Sequence, residues 1–148
     1  MIYFVACRDA VKLMEELLAL DPEAIVVDAS AVYNREHILA ALMHAERAFA
    51  HGRNRARDKK IEVMLYIACT RQIKDALQML KVSNDTRVIA VITDKALENR
   101  NYELIENYVN PEAWKKIGID RRMVDVVGED RINELIFERM AELEVAKR

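Results

Sequence analysis

Five cations stand within eight residues at Arg53, Arg55, Arg57, Lys59 and Lys60, opposed only by Asp58. The segment therefore carries a net charge of +4 in a chain whose formal charge is −2. Guanidinium groups present a planar fork that matches phosphate oxygens and stacks on bases, so a local cluster can attract a polyanion that the whole protein would not. A plainer account is a solvated helix end, where cations complement the helix dipole by roughly a few tenths of a kcal/mol. Two features favour binding. Arginine dominates the first half of the run, although lysine would serve solubility equally well. Arg71 falls in the first turn of the next predicted helix, an unfavourable place for a cation. If the intervening segment returns Arg71 to the start of the run, the two together with the helix N-terminus form an anion site. If it separates them, Arg71 is a contact of its own. The only aromatics nearby, Phe49 and Tyr66, read as core, so a phosphate-rich surface or a short nucleic-acid end fits better than a long stacked single strand.

Other chemistry finds little support. Gly52, Gly118 and Gly128 are the only glycines and are too scattered for a phosphate-binding or dinucleotide loop, which needs clustered glycines to bring backbone N–H groups onto phosphate. Ser30 and Ser83 are the only serines and lack the glycine-flanked elbow of a hydrolase nucleophile. His37, His44 and His51 recur every seven residues, which separates neighbours by ~10 Å along a helix and prevents a shared metal. They read as surface or partly packed. Cys7 and Cys69 flank hydrophobic runs and make neither a zinc pattern nor a disulfide framework, so they read as buried, reduced and structural. The expectation is a protein with no catalytic residue, metal or cofactor of its own. A small enzyme using an unrecognised carboxylate or Cys69 is the enzymatic alternative, and a perturbed reactive thiol would be its first sign.

The elements that would position the basic run follow from periodicity. Ile2–Cys7 suits a strand; Val11, Met14, Leu17 and Leu18 recur at helical spacing until Asp21-Pro22; Ala24–Val27 suits a buried strand. A helix with the stripe Ile38, Leu42, Ala45 and Phe49 then stops at Gly52. The nearly continuous apolar run Ile61–Ala68 predicts a strand covered on both faces. Thr70 is placed to cap a helix carrying Ile73, Ala76, Leu77 and Leu80, and Ser83–Asp85 a turn. Arg87–Ile92 reads as a strand, and Thr93 or Asp94 as the cap of a helix bearing Leu97, Leu104, Ile105 and Tyr108. Val124–Val127 suits a short edge strand, and Asp130 caps a last helix with Ile132, Leu135, Ile136, Met140 and Leu143. This alternation predicts an α/β fold, one compact domain over residues 1–148 with a mixed β-sheet flanked by helices. No apolar stretch approaches the ~20 residues needed to span a bilayer, so a soluble cytoplasmic protein is expected.

Residues 48–77, AFAHGRNRARDKKIEVMLYIACTRQIKDAL, resemble the KEOPS regulatory subunit (PRPK-binding protein) family in an archaeal-type form. The likeness lies in the Gly52-Arg53 pair at a helix end, the basic Arg55 and Arg57, the apolar Leu65-Tyr66 and the triplet Arg71-Gln72-Ile73. Weaker similarity extends over most of the chain. Many relatives place a glycine before that triplet, where this chain has Ala68-Cys69-Thr70, which leaves the presentation of Arg71 open. The resemblance implies a non-catalytic subunit that binds the small atypical kinase/ATPase of the KEOPS complex. It also implies recruitment of tRNA through its 3′ CCA end to the partner that makes threonylcarbamoyladenosine. Carried over by position, tRNA contacts would come from Arg53, Arg55, Arg57, Lys59, Lys60 and Arg71. A kinase-facing surface is assigned only to the last helix, at Ile136, Met140 and Leu143, against the competing reading of core packing. A protein-interaction module that regulates a kinase without touching RNA is the alternative.

Overall fold

The computed structural model describes residues 1–145. Strand β1 (Ile2–Ala6) leads through helix α1 (Ala10–Leu20) to β2 (Ile25–Asp28). Helices α2 (Arg35–Ala50), α3 (Lys59–Ala68) and α4 (Ile73–Met79) precede β3 (Val88–Ile92). A two-residue strand β4 (Glu103–Leu104), helix α5 (Arg121–Val127) and helix α6 (Ile132–Val145) complete the order. The sheet runs β2-β3-β1-β4. Every neighbouring pair is antiparallel. Thus the α/β class with a helix-flanked sheet holds, but the strand directions are not mixed. β1 and β2, joined through α1, leave a gap that β3 fills running the opposite way.

Alternation along the strands divides the apolar residues between two layers. Ile2, Phe4, Ile25, Val27 and Ala90 face the main core, shared with α2, α3, α5 and α6. Val5, Ile89 and Val91 face a smaller one covered by Ala10 and Leu17 of α1. Among the described residues no helix is long and apolar enough to cross a membrane.

The largest departure from expectation is residues 61–68, which form helix rather than a central strand. Continuous apolarity marks burial on all sides and does not distinguish a buried strand from a buried helix. Here Val63, Leu65, Tyr66, Ile67 and Ala68 are all buried. The run lies between α2 and α4, and Asp58 starts it by accepting the Lys60 N–H at 2.7 Å. Residues 124–127 belong to α5 rather than to an edge strand, because Asp120 caps them by accepting the Arg122 N–H at 2.9 Å. The helix expected after Thr93 is instead turns and β4. Thr93 and its neighbours close a tight turn, with the Lys95 N–H on Thr93 Oγ1 at 3.1 Å, and Asn107 takes φ +55°. Asparagine side chains favour such local conformations over helix. Tyr108 still packs inward, stacked on Phe4 with ring centroids 4.4 Å apart.

His37 and His44 are buried rather than surface residues. His37 Nδ1 accepts the Tyr33 N–H at 3.0 Å, which leaves Nε2 to donate to Ile67 O at 2.9 Å. The neutral ring is a polar strut between α2 and α3. Burial pushes its pKa from 6.5 down to about 4, against the raising effect of the Ile67 carbonyl. Because the folded state refuses a proton that the unfolded chain accepts, this contribution is complete above pH 6.5. It is lost as pH falls toward 4, by about 3 kcal/mol in all. Urea titrations of wild type and His37→Gln should show the variant less stable at pH 7 and the gap closing by pH 4. A constant gap would refute this role.

Candidate nucleic-acid interface

Helix α2 ends because Gly52 adopts φ +65°, a left-handed conformation that costs a residue with a Cβ more than it costs glycine. The Gly52 N–H then reaches Phe49 O at 3.2 Å and the Arg53 N–H reaches Ala48 O at 2.8 Å, satisfying carbonyls of the last turn. The chain leaves as a loop carrying Arg53, Arg55 and Arg57, all exposed. Ala56 is buried beneath them. Asn54 Nδ2 donates to Ala56 O at 2.8 Å, which tightens the bend.

The sequence reading left open whether Arg71 shares a face with this loop. It does. Arg53, Arg55 and Arg71 line one recess with Glu62, Leu65, Tyr66, Thr70 and Leu143. The helical form of α3 makes this possible. Its ten residues advance the chain only ~15 Å, about half what an extended strand would. The loop folds back alongside it, so its arginines meet the far end of the helix. Cys69 completes the turn in the left-handed region, at φ +55° and ψ +44°. Its N–H bonds to Tyr66 O at 3.2 Å and the Thr70 N–H bonds to Leu65 O at 3.1 Å. The position two residues before the Arg-Gln-Ile triplet thus keeps a glycine-like conformation with a cysteine in it. Arg71 follows two residues later, just ahead of Gln72, the cap of α4, rather than in its first turn.

The remaining cations lie elsewhere. Lys59 pairs with Glu46, and Lys60 Nζ donates to Pro22 O at 3.1 Å. Both border a second cleft that also contains Asp21, Glu23 and Asp94. Arg57 is exposed and lines neither. A run continuous in sequence is therefore divided in space, with Arg53 and Arg55 on one recess, Arg57 on neither, and two lysines among carboxylates.

The recess holds only about 20 Å³, room for a water molecule and too little for a nucleobase. An anion would sit on its rim, held by guanidinium groups. Tyr66 stacks on His44 with centroids 5.3 Å apart, and its phenol is pushed up to about 12 by burial and by Glu62 and Glu144, against Arg47 and Arg53. Glu144 of α6 bonds to His44, and Arg47 reaches the same carboxylate oxygen at 3.1 Å. Burial raises the Glu144 pKa, but the hydrogen bonds and charges of His44 and Arg47 outweigh this and hold it below the ordinary range. The end of α6 is thereby fastened against α2 with Leu143 at the recess.

Sequence reasoning missed Glu62, although a single charge inside an apolar run of eight is a signal of a buried carboxylate with partners. Burial pushes the Cys69 thiol up to about 12, which leaves it protonated at neutral pH and argues against a reactive nucleophile. On α6, Ile136 and Met140 are sealed in the core. Packing accounts for both, and neither side chain is open to a partner in this conformation. Leu143 is half-buried on the arginine recess.

The comparisons with known proteins agree with the likeness seen at residues 48–77. Residues 4–135 match the family model described as kinase binding protein CGI-121. A relative from Coccidioides immitis (strain RS), named EKC/KEOPS complex subunit CGI121, is 26% identical over 104 residues, covering 69% of this chain and 50% of the relative. The chain spans about half the length of this curated relative. With a family match running from β1 into α6, this chain belongs to the kinase binding protein CGI-121 family.

Proposed function

We propose that this chain is a non-catalytic subunit of a KEOPS-type complex, binding its small atypical kinase/ATPase and recruiting tRNA by the 3′ CCA end. The modification served is threonylcarbamoyladenosine, made by a transferase partner that this subunit contacts only indirectly. Family membership supports the kinase half. The observation that carries the RNA half is the meeting of exposed Arg53 and Arg55 with half-buried Arg71, from a separate segment, at one recess. Three forks around a recess too small for a base suit the phosphates of a short terminus better than base stacking. Arg57, Lys59 and Lys60 are outlying cations on this reading, steering RNA by their field more than by contact.

The test is binding of intact tRNA against tRNA lacking its CCA end, measured at fixed salt. The end-recognition reading expects intact tRNA to bind at least about tenfold tighter, the equivalent of one lost charge-assisted contact. Equal affinities would refute it. Co-purification with the kinase but no measurable tRNA binding would instead favour a protein-interaction module that regulates the kinase alone.

A further inference from the structure

Glu62 stands at the arginine recess as a carboxylate only 2% exposed. One of its oxygens, Oε1, accepts the backbone N–H of Arg55 at 2.9 Å and that of Ala56 at 2.8 Å. A buried carboxylate is costly unless hydrogen-bonded, and these two donors belong to the loop that displays the arginines. The loop is also tied by the Arg53 N–H on Ala48 O at 2.8 Å, by the Asn54 bond within it and by buried Ala56 beneath it. We infer that Glu62 is a positioning residue for anion binding, clamping the Arg53–Arg57 loop to α3 so that Arg55 is held beside Arg71. This rests on the reading of the recess as an RNA site.

Such a clamp has an opposing effect. The negative charge that orders the loop also lies beside the position of an incoming phosphate, so it opposes binding electrostatically while favouring it by preorganisation. The two effects separate by substitution. Both loop bonds use one oxygen, so Glu62→Gln can keep them through its amide oxygen while removing the charge. Glu62→Ala removes bonds and charge together.

The experiment measures tRNA affinity over a range of salt for full-length wild type, Glu62→Gln and Glu62→Ala, with amide hydrogen exchange at Arg55 and Ala56. Glu62→Gln is expected to bind as tightly as wild type or up to several-fold tighter, with both amides still protected. Glu62→Ala should bind about tenfold more weakly, with both amides exchanging faster and a shallower salt dependence. Amides in the middle of α3 should remain protected in both variants, separating a loosened loop from an unfolded helix. Wild-type exchange at Arg55 and Ala56 in Glu62→Ala would overturn the clamp, whatever the RNA does. Wild-type affinity in Glu62→Ala, or equal weakening by Glu62→Gln, would overturn its role in binding. A wild-type protein that binds no tRNA would overturn the RNA reading itself.

Discussion

Replacing Arg53, Arg55 and Arg71 together by glutamine is expected to weaken tRNA binding by about a hundredfold or more. Each guanidinium that meets a phosphate contributes roughly 1–1.5 kcal/mol, and three independent contacts multiply to that order. Glutamine retains length and some hydrogen bonding, so the loss reports charge and fork geometry more than missing volume. The matched control is the triple change Arg57→Gln, Lys59→Gln and Lys60→Gln, which removes the same formal charge from the same neighbourhood. Because none of Arg57, Lys59 and Lys60 lines the recess, that control should lose only a few-fold. Salt titration gives a second reading. With a slope of about −0.7 per single-strand phosphate contact, the recess variant should flatten log K against log salt by about 2, and the control by less than 1. Equal losses in the two variants would mean that the protein attracts RNA by net local charge. The convergence of Arg71 with the loop would then be incidental.

That contrast could not be drawn from the sequence, for a definite reason. The basic run was legible because charge clustering is a property of the chain itself. The helix before it was legible from Ile38 and Ala45 on one face and Gly52 at its stop, all of which behave as periodicity demands. So were β1, α1, β2 and β3, whose alternating residues feed two cores. The run Ile61–Ala68 was misread because a segment buried all round has lost the polar face whose spacing reveals its period. Glu62 was the residue out of pattern, and its meaning emerges only when the loop it holds is brought against it. The secondary-structure error reached into the site, since an extended segment there would have carried Arg71 away from Arg53. The division of Lys59 and Lys60 from the arginines has the same origin. Lys59 and Lys60 are the first turn of α3 and point where the helix directs them, toward the carboxylates of the second cleft.

The other large effect is expected at Cys69. A residue with a Cβ at φ +55° carries about 1–2 kcal/mol of steric cost that glycine avoids. Cys69 is also 1% exposed, so its sulfur contributes packing that glycine would forfeit. These terms oppose each other, and Cys69→Gly should stay within about 1 kcal/mol of wild type. In Cys69→Val the terms reinforce. The second branch at Cβ worsens the left-handed conformation and adds bulk at a site only 1% exposed, for a combined cost of about 3 kcal/mol or more. For a domain of this size, thermal melting should fall by about 10 °C. Because Arg71 follows two residues later, the effect should extend to the site. At a temperature where both variants are folded, Cys69→Gly should bind tRNA like wild type, and Cys69→Val should bind several-fold more weakly. Weak binding by the glycine variant would point instead to the cysteine side chain as what aims Arg71. Equal melting of the two variants would show that the left-handed turn is not under the steric constraint its backbone angles imply. The prediction therefore tests whether a glycine-shaped turn, occupied here by cysteine, is the feature of the backbone that brings two separate segments of cationic sequence to one recess.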